Sequence, residues 1–445
     1  MPEYVPLSNK GEEAIVRGIG DALFPEKNCE IHLFDIGAVK YRFHDGIHVY
    51  PGTWFFSDWV MREFGLGLSW EKISDSFCSL FRHALDQVYP NWVKKTPAPL
   101  LHSTAILKSL KQGQVPHNEM EIRLQQLLGC DFVIAGHDGG LDHWVCHIIR
   151  IMREQFSKAY GVFGVQLRNQ FGSQAIMQVH AEEFRHARFF YCRDAKTAEG
   201  IKQNFPFITH KIIPDPAFAM QPAASEAIDR LIYDEELERL FQKPVVMCTS
   251  CEPSPIARHS FDHVLNPDAK LRMHRELFAK LIRHVSEKHN VNVLFLPHAL
   301  GPGHALDDRE VARAILKLAD LPQDRVRLLE NEYGARELKG LISRADFLIA
   351  ERIHSIIGTT GVATPFMCLG SKKDTRVAGI VEQMLEMSEA VYYLNTPVVQ
   401  DLTNKFDLLW EKRLELKERL KTKRHALLKE LAEASSNIHR ALNCR

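Results

Sequence analysis

Short apolar runs alternate with longer segments of helical period along most of the chain. From Asp131 the alternation is regular. Asp131 to Ala135 reads as a strand, residues 143–155 as a helix, Tyr160 to Val165 as the next strand and the segment through Glu183 as another helix. Phe189 to Cys192 and Lys211 to Ile213 read as two further strands. A second series starts at Pro244. Its strands are Val245 to Thr249, Val291 to Leu296, Arg325 to Leu329, Phe347 to Ala350 and Pro365 to Leu369, with helices over Arg272 to Glu287 and Ala305 to Leu318. Short, wholly apolar strands alternating with helices specify a parallel sheet covered on both faces. Residues 219–240, which contain Pro222 and then turn acidic and helical, read as the connector between the two series.

The ends of the chain are less regular. Asn9 and Gly11 open a loop, Glu12 and Glu13 suit the exposed N–H groups of a first helical turn, and Ala14, Ile15, Ile19 and Leu23 give that helix its apolar face. Ile31 to Ile36 reads as a short buried strand. Only Tyr4-Val5-Pro6-Leu7 precedes the helix, so a first strand is expected to be very short or its start incomplete. Residues 41–128, with Trp54, Trp59, Trp70 and Trp92, read as mostly helical with long connections. Phe406 to Glu433 predicts a long charged helix with a broken apolar stripe at Leu409, Leu416, Leu420, Leu427, Leu428 and Leu431. The expected organisation is a first domain over residues 1–222 containing the divergent segment 41–128, a linker over 223–243, a second domain over 244–399 and the terminal helix over 400–445.

Composition narrows the function classes. A chain of 445 residues suggests two or three domains and needs no disulfides to hold a core. Its 56 Lys+Arg balance 56 Asp+Glu, which gives no support to a non-specific nucleic-acid binder. No apolar run is long enough for a transmembrane segment, and the start lacks the pattern of a secretory signal. Nine scattered cysteines read as reduced thiols, and the expected location is cytoplasmic. The apolar side of the terminal helix fits either the chain's own body or a second copy, so a homo-oligomer is compatible with the sequence.

Candidate chemistry collects at predicted strand ends, where ligands of open α/β sheets bind. Arg352-Ile353-His354-Ser355 follows one strand, and a helix with small residues Gly358 and Gly361 starts nearby. Arg352 can clamp phosphate or carboxylate, and His354 can move a proton near neutral pH. The alternative is a basic residue and a histidine that merely terminate a strand. Arg193-Asp194 ends another strand, with Asp194 placed to cap the next helix. His298 follows a third, ahead of Gly301, Gly303, His304, Asp307 and Asp308. These last groups could ligate a metal, but their spacing fits no defined metal motif, and a solvated helix start accounts for the two aspartates as well. Gly136 to Gly140 is a glycine-rich turn that is neither GxGxxG nor a P-loop. Cys248 and Cys251 form a lone CxxC pair and read as packing thiols, not as a zinc or redox site.

In their order along the chain these segments resemble the polysaccharide pyruvyl transferase family. The resemblance rests on Asn9-x-Gly11-Glu12-Glu13-Ala14, Gly136 to Gly140, Cys192-Arg193-Asp194 and Pro214-Asp215-Pro216-Ala217-Phe218. It continues through Leu296-Pro297-His298 with Asp307-Asp308, Glu337 to Asp346, Arg352 to Ser355, Gly361 to Pro365 and Lys373 to Arg376. It spans about residues 8–395, and residues 41–128 match none of its blocks. The resemblance implies an α/β fold with two Rossmann-like domains facing a cleft, like the GT-B arrangement, and a terminal helix that crosses back. It implies transfer of a pyruvyl group from phosphoenolpyruvate to a sugar or glycan acceptor as a ketal, with phosphate leaving. Phosphoenolpyruvate is then the donor substrate, with no tightly bound cofactor and no metal. It makes His354 the candidate general acid and Arg193 and Arg352 the candidate anion partners. The base that deprotonates the acceptor stays open among His298, Glu12 and Glu13. Asn9, Gly11, Gly139, Gly140, Arg193 and Arg352 are the expected donor-binding residues. Two other readings fit a similar fold: a nucleotide-sugar-dependent glycosyltransferase and a non-enzymatic binding protein.

Overall fold

The computed structural model describes residues 2–3, 9–25, 30–35, 41–44, 46–51, 104–136, 143–166, 174–251, 260–301 and 307–443. Contacts divide the chain into two compact units. The first is Met1–Pro6, Phe24–Ile213 and Glu433–Arg445; the second is Leu7–Leu23 and Pro214–Ala432. The first helix thus groups with the second unit, whereas the expected division placed it within residues 1–222. The cause is close backbone approach. A Cβ on Gly18 would lie 2.1 Å from the Pro216 carbonyl oxygen, so only glycine lets the helix sit there.

Among the described residues the first unit holds two four-stranded sheets. In one, β1 (Pro2–Glu3), β2 (Ile31–Asp35), β3 (Arg42–His44) and β4 (Ile47–Pro51) are ordered β1-β2-β4-β3, and only β3 runs antiparallel to its neighbour. The first strand is two residues long. The helical expectation for 41–128 fails at β3 and β4. Apolar and polar residues alternate there around Asp45-Gly46, the dipeptide of a tight hairpin, and Gly46 has φ +80°. Helices Thr104–Lys111 and Glu119–Gly129 follow, and the four tryptophans of this segment lie outside the described residues. In the other sheet β5 (Val133–Ala135), β6 (Tyr160–Val165), β7 (Phe190–Cys192) and β8 (Lys211–Ile212) run parallel in sequential order. Strands β5, β6 and β7 are buried throughout, as their unbroken apolar composition requires.

The second unit is built on one six-stranded parallel sheet: β9 (Val245–Thr249), β10 (Asn292–Phe295), β11 (Val326–Leu328), β12 (Phe347–Ala350), β13 (Phe366–Gly370) and β14 (Val391–Tyr393). The spatial order is β11-β10-β9-β12-β13-β14, the doubly wound Rossmann order, which reverses between β9 and β12. Helix Pro267–His289 is longer than expected at its start, because Asn266 caps it and Pro267 takes the first-turn position.

The tail is two helices, Val399–Glu411 and Arg413–Asn443, where one was expected. The first is anchored by Phe406, whose ring packs 5.3 Å from Phe347 and 5.5 Å from His289. Leu416, Leu420, Leu427 and Leu431 are buried. The last residues, Glu433–Arg445, group with the first unit, where His439 meets Phe24 at 5.3 Å. Among the described residues no helix is long and apolar enough to cross a membrane.

Candidate active site

A doubly wound sheet opens at its carboxyl edge where the strand order reverses. In the second unit that edge lies at the ends of β9 and β12. Arg352 takes the N-cap position of helix Ile353–Val362, and His354 is its second residue. The Ser355 hydroxyl donates back to the Arg352 carbonyl and meets the Thr249 hydroxyl at 2.8 Å, tying the helix start to the end of β9. Glu351 is buried between the Cys251 N–H, at 2.8 Å, and His274 Nε2, at 2.6 Å. Cys248 and Cys251 are both buried, and burial pushes the Cys251 thiol up to about 12, so it is held as an inert thiol.

The loop after β10 is organised by one carboxylate. Asp308 Oδ2 accepts the N–H groups of His298 and Ala299 at 3.0 and 2.9 Å and Arg352 Nε at 3.2 Å, while Oδ1 takes Arg352 Nη2. Asp308 is fully buried. Neither aspartate is the solvated helix start expected of the pair; Asp307, also buried, keeps only the helix-start role. Asp307 caps the helix through Arg309 N and pairs with the Arg309 guanidinium. Asp308 instead points inward and joins β10 to Arg352. Burial pushes the Asp308 carboxyl up and the Arg352 guanidinium down. The two-point contact and the two N–H donors oppose both shifts and hold the pair ionised.

The first helix closes on this edge. Asn9 bridges Ala299, and Lys10 N–H donates to the His298 carbonyl at 2.7 Å. The Asn9 side chain accepts Gly11 N–H at 3.1 Å. Glu13 is fully buried and held by Arg17 at 2.7 Å and Lys10 at 3.5 Å, so its carboxylate anchors the helix. Glu12 accepts from Asn9 and bears its negative charge toward Arg352. Gly11 lies against the His354 ring. A Cβ there would come within 2.2 Å of Nδ1 and 2.6 Å of Cγ. Gly11→Ala is therefore expected to displace His354 and lower turnover about 100-fold, since misplacement by about 1 Å has that cost. Gly129→Ala, where a Cβ meets nothing within 4 Å, is the control and should leave turnover unchanged.

Lys10, His298, Lys339 and His354 line a cavity of about 10 Å³, room for roughly one water. His298 is 6% exposed, and its Nδ1 has no hydrogen-bond partner among the described residues. Burial lowers its pKa to about 4, so the ring is neutral at neutral pH. The unfolded ring takes a proton near 6.5. The stability linked to this neutral ring is complete above pH 6.5 and lost as pH falls from 6.5 to about 4, by roughly 3 kcal/mol. Melting curves should fall more steeply over that window in the wild type than in His298→Asn, and parallel curves would contradict the shift. Lys339, also buried, donates to the Phe218 and Met220 carbonyls, and burial lowers it to about 7.

Of the residues singled out in the sequence, Asn9, Gly11, His298, Arg352 and His354 come together in the second unit. Arg193 belongs to the first. It follows β7, is 2% exposed and donates to the Gln166 side chain, while Asp194 caps helix Ala195–Asn204 as expected. Gly139, Gly140 and His304 lie outside the described residues. The sequence reading did not distinguish Asp308 from Asp307 and did not single out Lys339 or Glu351. The one available signal was that Asp308 is the first residue of a helix that closes a Gly-rich loop after a strand.

A six-stranded parallel sheet in Rossmann order in one unit and a parallel βα sheet in the other define the GT-B fold. A Listeria monocytogenes protein assigned as a UDP-N-acetylglucosamine 2-epimerase shares this fold. It is 11% identical over 99% of this chain and 95% of its own, with a TM-score of 0.51. The UDP-GlcNAc 2-epimerase of Neisseria meningitidis aligns over 97% of both chains at 10% identity and a TM-score of 0.48. No curated protein matches the sequence significantly. The family model described as polysaccharide pyruvyl transferase matches residues 31–373, and the chain belongs to that family. Its reaction is transfer of a pyruvyl group from phosphoenolpyruvate onto a sugar or glycan as a ketal, with release of phosphate.

Proposed function

We propose that His354 delivers the proton that turns the enolpyruvyl methylene into the methyl group of the ketal. Arg352, oriented by Asp308, and the positive end of the dipole of helix Ile353–Val362 bind the anionic donor and stabilise the departing phosphate. Arg193 of the first unit is assigned to an anionic group of a substrate. The atoms balance: two acceptor hydroxyls form two C–O bonds to C2 and release two protons, the methylene gains one, and phosphate carries the other away. The proton acceptor is proposed among Glu12, Glu13 and His298, the last a weak base because burial lowers it to about 4. The observation that carries this reading is the convergence of Asn9, Gly11, His298, Asp308, Arg352 and His354 on one sheet edge.

The acceptor is a vicinal or 1,3-diol of a sugar, because both oxygens must reach one carbon. The protein is assigned to the cytoplasm, where its donor is made, in keeping with the free buried thiols Cys248, Cys251 and Cys368. It is expected to work as a monomer or small homo-oligomer, which light scattering on the full chain measures. Two results test the residue assignments. Reaction in D₂O should place solvent deuterium in the product methyl, and a methyl without it rules out protonation at the methylene. Arg352→Lys, which keeps charge but loses the two-point fork, should raise the donor KM roughly 10-fold or more. An unchanged donor KM removes Arg352 from donor binding.

A further inference from the structure

The first unit carries a basic cavity that the proposed transfer chemistry does not use. Its volume is about 560 Å³, within the roughly 300–1,000 Å³ of small-ligand sites. Two loops build it. Ser157-Lys158-Ala159 leads from helix His143–Glu154 into β6, and Arg185-His186-Ala187-Arg188 leads from helix Gln174–Phe184 into β7. The strands are parallel neighbours, so the loops lie side by side, and the Arg188 N–H donates to the Tyr160 carbonyl at 2.9 Å. Both loops enter strands. The cavity therefore lies at the amino edge of this sheet, opposite the edge where ligands of such sheets collect.

A count of charges shows what the cavity offers. Arg153, Lys158, Arg185, His186 and Arg188 line it, and no carboxylate does so among the described residues. Arg153 is already paired, with Nη2 at 3.0 Å from Glu154 and 3.3 Å from Glu183. Arg150 meets Glu154 at 3.2 Å, so these two arginines and two glutamates balance. Glu182 is exposed and lies off the wall. Lys158, Arg185 and Arg188 remain, with no carboxylate partner among the described residues. Two of them are held in place by uncharged groups. Lys158 Nζ donates to the Leu128 carbonyl at 2.7 Å, which leaves two of its three protons. The Arg185 guanidinium lies 4.1 Å from the centre of the Phe207 ring, a contact that occupies its flat face and leaves its N–H edge. Arg188 is exposed, and its side chain has no partner among the described residues.

We propose that this cavity binds a diphosphate group, free or carried on a nucleoside. Three cations on one wall, with no carboxylate beside them, favour an anion of more than one charge. Two of the three are arginines, whose forks match the paired oxygens of a phosphate. The cavity also admits more than a single phosphate. All three cations are permanent near neutral pH, so the site needs no change of protonation to form.

The test is calorimetric titration of the full-length protein with sodium diphosphate at fixed ionic strength. Arg185→Gln/Arg188→Gln should weaken one equivalent of diphosphate at least 10-fold, the cost of lost charge-assisted hydrogen bonds. Arg352→Lys should keep that equivalent, which separates this cavity from the donor site. Inorganic phosphate should bind at least 10-fold more weakly than diphosphate. Adenosine diphosphate, run beside it, identifies the source. Tighter binding than inorganic diphosphate assigns the group to a nucleotide, and equal or weaker binding assigns it to the free anion. Equal affinity and stoichiometry in wild type and Arg185→Gln/Arg188→Gln overturn the proposal, and leave the arginines as charges that complement two helix ends. Equal affinity for phosphate and diphosphate overturns the ligand class. Should the double variant fail to fold, Arg188→Gln on the exposed side chain gives the same readout: weaker binding supports the site and unchanged binding overturns it.

Discussion

Alanine at His354 is expected to lower turnover about 100- to 10,000-fold, the range for losing a placed proton donor, while the protein still folds. His354 sits two residues past the N-cap of helix Ile353–Val362 and is partly exposed, so its side chain is not a keystone of the core. Its position is nevertheless tightly set. The Gly11 backbone packs on the ring, and Ser355, one residue on, ties the helix start to β9. Positioning without deep burial is what a group that meets substrate requires. Steady-state assays run beside thermal melts separate the roles. Near-wild-type turnover in a folded variant would remove His354 as the acid. A large fall in melting temperature would instead mark it as a packing residue.

Asp308→Ala should have the largest effect on stability, about 3–5 kcal/mol, because removing one partner strands the other charge in a buried site. For a unit of roughly 200 residues this lowers the melting temperature by about 6–20 °C. The carboxylate receives two backbone N–H groups and the Arg352 fork, and it has no exposed surface. Asp308→Asn keeps the shape but turns an amide N–H₂ toward donors, so it should recover little. Both variants should also lose donor affinity, since Arg352 is aimed by this carboxylate. A loss below about 1 kcal/mol would show that solvent, not protein, balances Arg352.

Much of this was written plainly in the chain. Val245–Thr249, Phe347–Ala350 and Tyr160–Val165 are continuous apolar runs, and a strand buried on both faces permits little else. His298, Arg352 and His354 could be picked out because each follows a strand end, and Asn9 and Gly11 by their resemblance to the family's opening motif. Three things were not legible. The β3–β4 pair hid behind aromatic residues, although Asp45-Gly46 carried the turn signal. The order β11-β10-β9-β12-β13-β14 depends on pairing between distant strands, which no local pattern encodes. Asp307 and Asp308 are equivalent as a dipeptide. Only the fold decides that one caps a helix and pairs with Arg309 while the other turns inward to Arg352. For the same reason a histidine after a strand could not be read as a neutral, buried ring, whereas in the folded unit His298 is one.

The most direct measurement incubates the purified protein with phosphoenolpyruvate and a panel of sugar and glycan acceptors. Phosphate release and the methyl resonance of the product are followed together. The account predicts phosphate released in step with a new ketal methyl, on one class of diol acceptor, and lost in His354→Ala. Turnover of a nucleotide sugar with no consumption of phosphoenolpyruvate would contradict it.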